Sequence, residues 1–187
     1  MKNPFIDFHS ESYQIKERPA HRIAEKKQDV FNRIIKGYLD LVENEIKDLA
    51  WIVEHGRVVK VYGAAVEGLQ ELQYDQAYID EFCAELDGSN SIPYMIPGPA
   101  GLYASALVNC SQESHISLRL GDYQRSFHFL GYGLPEGKTL TLHGDGGDFI
   151  GAGLNGGRLV VQGAAGNWCG AGMMRGEILV DRHTGRN

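Results

Sequence analysis

Two imidazoles and three carboxylates, His128, His143, Asp122, Asp145 and Asp148, are the residues of this chain whose types could do chemistry. Carboxylates beside imidazoles can hold a divalent metal or move a proton, so these five are the candidate ligands. Their spacing does not favour that role. No H-x-x-x-H or H-E-x-x-H order is present, and each aspartate adjoins a glycine, where a short carboxylate makes a turn by accepting from backbone amides. His128 and His143 read as outward positions on strands. A serine nucleophile elbow, a Walker loop and a cysteine with basic neighbours are all missing. No catalytic residue and no bound cofactor or metal is expected.

Gly151-Ala-Gly-Leu-Asn-Gly156 matches the dinucleotide fingerprint G-x-G-x-x-G, which needs a helix directly after it to face a pyrophosphate. The next residues, Gly157-Arg-Leu-Val-Val-Gln-Gly163, read as a strand instead. The same phrase also recurs. Asp148 to Val161 and Asn167 to Val180 align at an offset of 19 residues, with Gly151, Gly153, Gly157, Leu159 and Val161 falling on Gly170, Gly172, Gly176, Ile178 and Val180. A weaker copy upstream places Phe129, Gly131, Gly133 and Gly137 against Phe149, Gly151, Gly153 and Gly157, and Leu140 and Leu142 against Leu159 and Val161.

One short alternating strand and several glycines per ~20 residues cannot bury an apolar side alone, but stacked copies can. The pattern therefore predicts a parallel β-helix whose strands repeat Leu140/Leu142, Leu159/Val161 and Ile178/Val180 on the inner face. Glycine is expected where the chain turns sharply, takes positive φ or lies against the next copy. On that reading valine at Gly153 or Gly172 destabilises strongly, because its Cβ arrives where every copy keeps glycine.

The stretch from Arg125 to Val161, containing Gly-Tyr-Gly-Leu-Pro-Glu-Gly and Gly-Ala-Gly-Leu-Asn-Gly-Gly, resembles the GXGXG domain that closes the large subunit of glutamate synthase. The next copy, Gly163 to Val180, is similar to the β-helical subunit of formylmethanofuran dehydrogenase. The resemblance implies a right-handed β-helix. It also implies a structural part of a larger oxidoreductase in nitrogen or one-carbon metabolism, with redox cofactors on other domains or subunits and no catalytic residue to carry over.

The rest of the chain narrows the class. With 187 residues and 43% hydrophobic content, one to one and a half domains with a full core are expected. No apolar run is long enough for a membrane span, and the first residues lack a signal peptide's apolar run, which points to the cytoplasm. Cys83, Cys110 and Cys169 form no metal-type pair and fit a reduced compartment, with Cys169 replacing Ile150 of the repeat as a small apolar side chain. The net charge of −6 arises before residue 101, and the repeat has no basic patch, which argues against nucleic acid.

Residues 1 to 100 read as a helical part. After an irregular arm over residues 1 to 20, apolar residues from Ile23 to Val53 recur at three and four, predicting one amphipathic helix or two joined near Gly37, with Gly56 as the cap. Arg57 to Tyr62 reads as a short strand and Val66 to Leu86 as a second helix, with Asp75 able to cap its latter half. Asp87 to Gly101 reads as the boundary loop, Leu102 to Val108 fits no period, and His115 to Leu120 is the first clear strand. The class expected is α+β, with helices over 1 to 100 and β-helix over 101 to 187. Partners expected are other protein subunits or a second copy, with contact through the last copy of the repeat near Trp168, Met173 and Met174. The rival expectation is a free-standing enzyme or small-ligand protein with its site between the helical part and the first coils.

Overall fold

Apolar spacing decides the helices of the computed structural model, which describes residues 19–46, 51–88 and 96–186, with side chains from residue 26 onward. Helix α1 (Pro19–Glu45) buries Phe31, Ile34, Tyr38, Leu41 and Val42 along one face. Its exposed face carries polar and charged residues such as Asn32, Arg33 and Glu43. It runs without a break through Gly37. That glycine is a contact, because a Cβ there would meet the hydroxyl of Tyr103, which donates to the Ile34 carbonyl at 2.9 Å. Residues 51–54 are not helical, so the helix expected as far as Glu54 ends earlier. The arm expected over residues 1 to 20 lies outside the described residues as far as residue 18.

The short strand expected over Arg57 to Tyr62 is a helix. Helix α2 (His55–Leu69) contains those residues and Gly56 as well, and buries Val58, Val61, Ala65 and Leu69. That spacing of three and four puts all four on one face of α2, which packs on α1 and on the helix over Pro97–Cys110, and tertiary burial overrides the local β-preference of Val-Val-Lys-Val. Helix α3 (Gln76–Gly88) buries Ile79, Phe82, Cys83 and Leu86, and the Asp75 carboxylate accepts from the Ala77 amide at 3.0 Å, capping it as expected. Helix α4 (Pro97–Cys110) takes up the stretch that fits no period. Every residue from Gly98 to Val108 is buried, so it has no polar face to reveal a helical rhythm. The boundary expected at residue 100 falls inside it.

Strands β1 (His115–Leu118), β2 (Thr139–His143), β3 (Asn155–Gln162) and β4 (Arg175–Val180) form one parallel sheet in chain order. Leu140 pairs with Leu159, Leu142 with Val161, Leu159 with Ile178 and Val161 with Val180, the alignment read from the sequence. Ile116 and Leu118 of β1 pair with Leu140 and Leu142, while Leu120, expected to close that strand, begins a 3-10 turn over Leu120–Asp122. A second line of backbone bonds joins the glycine turns. Phe129, Phe149 and Trp168 donate to the carbonyls of Asp148, Asn167 and Arg186, and Gly133 and Gly153 donate to Ala152 and Ala171. Among the described residues the molecule is thus α+β, four helices packed with a four-stranded parallel sheet, and its buried side chains form one continuous core. Among the described residues no helix is long and apolar enough to cross a membrane.

The repeat glycines have two separate reasons for being glycine. Gly131, Gly133, Gly137, Gly151, Gly153, Gly170, Gly172 and Gly176 have positive φ; Gly157 does not, but a Cβ there would lie 2.6 Å from Leu134 Cγ. The crowding expected at Gly153 and Gly172 is absent. A Cβ at Gly153 would make ordinary contact with Tyr132 at 3.5 Å, and one at Gly172 would meet nothing within 4 Å. Their requirement is the left-handed backbone alone, which costs an L-residue about 1–2 kcal/mol.

Candidate functional site

The glycine turns set the candidate residues in columns, because each copy bonds to the next through equivalent positions. In one column the side chain of each copy accepts a hydrogen bond from the backbone of the following copy. His128 Nδ1 accepts from the Asp148 amide at 3.2 Å, Asp148 Oδ1 from the Asn167 amide at 2.7 Å, and Asn167 Oδ1 from the Arg186 amide at 2.9 Å. Asp145 does the same nearby, its Oδ1 accepting from the Ala164 amide at 2.8 Å, with Arg182 at 3.8 Å. These side chains tie one copy of the repeat to the next, satisfying amides that the turns would otherwise leave bare.

The protonation of His128 follows from that geometry. Its Nδ1 stands 3.7 Å from Asp148 Oδ2, which by itself suggests an ion pair. The same nitrogen already accepts a backbone N–H, so the ring is neutral with its proton on Nε2. Desolvation pushes its pKa below the ordinary histidine value, and the Asp148 carboxylate only partly opposes that.

The other two candidates lie elsewhere. His143 is exposed at the end of β2, in register with Gln162 of β3. Asp122 belongs to the 3-10 turn and lines a polar cleft of about 480 Å³ with Asp80, Asp87, Arg119 and Tyr123. Burial raises the Asp80 carboxyl above its usual range there, with a hydrogen bond from Gln76 opposing. Asp87 is committed to the amides of Gln124 and Arg125, at 2.9 and 2.7 Å. Among the described residues no three His, Cys, Asp or Glu side chains are grouped to hold a metal ion. Cys83 and Cys169 have thiols raised by burial, opposite to what a nucleophile needs.

A second column stands beside the first. Phe129, Phe149 and Trp168 occupy the same place in three copies, each with φ near +60° (62, 59 and 60°). Their rings are parallel within 5 and 6°, with centroids 4.6 and 6.3 Å apart. Phe129 and Phe149, with Val53, Val58, Tyr132 and Gly172, wall an apolar cleft of about 300 Å³ between the start of α2 and the glycine turns. Trp168 is half exposed. Sequence reasoning missed this column as a site feature, although the shared offsets of 20 and 19 residues that align the glycines align the aromatics too.

No protein-family model matches this chain. Comparison with curated proteins and with solved structures finds no match either. What the site can do is therefore read from its own geometry. The His128 and Asp148 column accepts backbone hydrogen bonds, and the aromatic column offers an apolar wall whose titratable neighbours are His55 and Tyr132.

Proposed function

We propose that this chain is a non-catalytic scaffold subunit of a multisubunit oxidoreductase resembling glutamate synthase or formylmethanofuran dehydrogenase, working in the cytoplasm with redox chemistry held on other subunits. The observation that carries the reading is the use of His128, Asp145 and Asp148 as acceptors for backbone amides of the next copy, a structural task for the side chains whose types could do chemistry. On this reading the repeat is a right-handed parallel β-helix with coils of about 19 residues. The 19-residue register of β2, β3 and β4 and the second line of bonds between glycine turns support it. The resemblance of Arg125 to Val180 supplies the class of assembly. Exposed apolar side chains on the last copy, Trp168, Met173, Met174 and Leu179, supply a surface by which a subunit is held.

A second reading draws on the apolar cleft between Val53, Val58 and the Phe129 and Phe149 rings. There the chain is a free-standing binder of a small, mostly apolar ligand. Fractionation of a natural extract separates the two. A scaffold subunit runs in a large complex that carries flavin, iron–sulfur or molybdenum/tungsten absorbance. A chain that runs small and alone would remove the scaffold reading.

A further inference from the structure

Helix α3 and the end of β1 frame the polar cleft of about 480 Å³, apart from both columns of the repeat. Asp80, Ala84 and Asp87 stand at spacings of four and three, so one face of α3 makes one wall. Ser117 and Arg119, two residues apart at the end of β1, make the other together with Asp122 and Tyr123 of the 3-10 turn and its cap. Much of this lining already serves the fold. The Gln76 amide donates to Glu113 Oε2 at 2.8 Å, its Oε1 accepts from the Ser117 amide at 3.1 Å, and its Nε2 donates to Asp80 Oδ2 at 3.3 Å. Asp87 is spent on the amides of Gln124 and Arg125.

Two lining groups of opposite charge are left over. With the described residues neither the Arg119 guanidinium nor the Asp122 carboxylate makes a hydrogen bond or an ion pair, although both line the cleft. Burial raises the Asp80 carboxyl, and the bond from Gln76 and the charge of Arg119 only partly oppose it, so Arg119 acts on Asp80 without closing an ion pair. The Tyr123 phenol stands among the acids. Burial raises it above the ordinary tyrosine value, with further raising contributions from Cys83, Asp80, Asp122 and Asp87, and it stays a proton donor. We propose that this cleft binds a small molecule carrying one carboxylate and more than one ammonium group, the chemistry of a dibasic amino acid. The Arg119 fork takes the carboxylate, and Asp122 and Asp80 take the ammonium groups. Three carboxylates against one guanidinium set the excess of positive charge that the ligand must bring. A metal cation is the poorer occupant, because among the described residues no three His, Cys, Asp or Glu side chains converge to hold one. The volume lies within the range of about 300–1,000 Å³ usual for small-molecule sites.

The site goes beyond the scaffold reading and does not depend on it. Calorimetric titration of the full purified chain uses three probes of equal carbon chain: L-lysine carries both kinds of group, 1,5-diaminopentane the amines alone and glutarate the acids alone. Lysine should bind with a Kd of about 1 mM or below, the diamine more weakly, and glutarate not at all. Arg119→Gln should weaken lysine roughly tenfold and leave the diamine no weaker than before, whereas Asp122→Asn should weaken both. Neither side chain has a partner to lose among the described residues, and a thermal melt checks that each variant folds. Should one fail, the other still decides. No saturable heat with lysine up to about 10 mM would overturn the proposal. So would a diamine that binds as tightly as lysine, an Arg119→Gln variant that weakens both probes alike, or an Asp122→Asn variant that weakens neither.

Discussion

Gly101→Ala lowers the stability of this protein by about 3 kcal/mol, although the same change in an ordinary helix adds up to ~1 kcal/mol. Gly101 lies in the first half of α4, and a Cβ there would fall on the carbonyl oxygen of His128, with its carbon 2.8 Å and its amide nitrogen 3.2 Å away. Those atoms are backbone and cannot swing aside. The same segment is held from the helix side by Pro97, whose carbonyl accepts from the His128 amide at 3.0 Å, and by Ser105, whose hydroxyl donates to the Phe129 carbonyl at 2.8 Å. The helix must therefore retreat or the first aromatic turn must move. For a domain of this size the melting temperature should fall by roughly 6–12 °C. A thermal melt in which the alanine variant is more stable would show that α4 does not pack on the repeat at this point.

The second large effect is at Gly176, where both requirements on a repeat glycine coincide. Its φ is +106°, and a Cβ would meet the Gly157 carbonyl oxygen and the Leu154 side chain, with the Gly156 carbon at 3.0 Å. Gly176→Val should cost roughly 4 kcal/mol, a left-handed β-branched residue together with a clash against the neighbouring copy. Gly172→Ala is the control. It has φ of +67° but open space around it, so its cost should stay near ~1–2 kcal/mol, the backbone contribution alone. Denaturant titration of the two variants measures the difference. Equal losses would mean that the copies do not press together at β3 and β4 as described.

Much of the sheet was legible because its register is written in the sequence period. Leu140, Leu159 and Ile178 fall one above another at 19-residue steps, and identical spacing of glycines leaves the strands no alternative alignment. The helical part was less legible, for two different physical reasons. Arg57 to Tyr62 carries a β-branched run and echoes the words of the repeat, so local preference spoke for a strand. The deciding signal was the longer spacing of Val58, Val61, Ala65 and Leu69, which only burial on neighbouring helices rewards. Helix α4 was hidden by its own burial, since a helix surrounded by protein has no polar stripe. Gly37 looked like a break and is a point of contact with Tyr103, a distinction that no single sequence carries.

Of the candidate site, the adjoining glycines suggested carboxylates that serve their own turns, whereas Asp145 and Asp148 accept the amides of Ala164 and Asn167, 19 residues on. Neither that role nor that of His128, whose partner is the amide of a residue 20 positions on, was readable, because each depends on how the copies stack. The repeat reads most simply as a structure that uses its polar side chains to hold its own backbone.

The most direct test of that claim is elemental analysis, with an absorption spectrum, of the chain purified gently from its natural source and freed of other subunits. The account predicts no stoichiometric metal and no visible band. Stoichiometric zinc lost on replacing His128 or His143 would contradict it: at His128 a metal would compete for the Nδ1 and the Asp148 carboxylate that now accept backbone amides, and at His143 it would give a ligand's role to a side chain that is exposed at the end of β2.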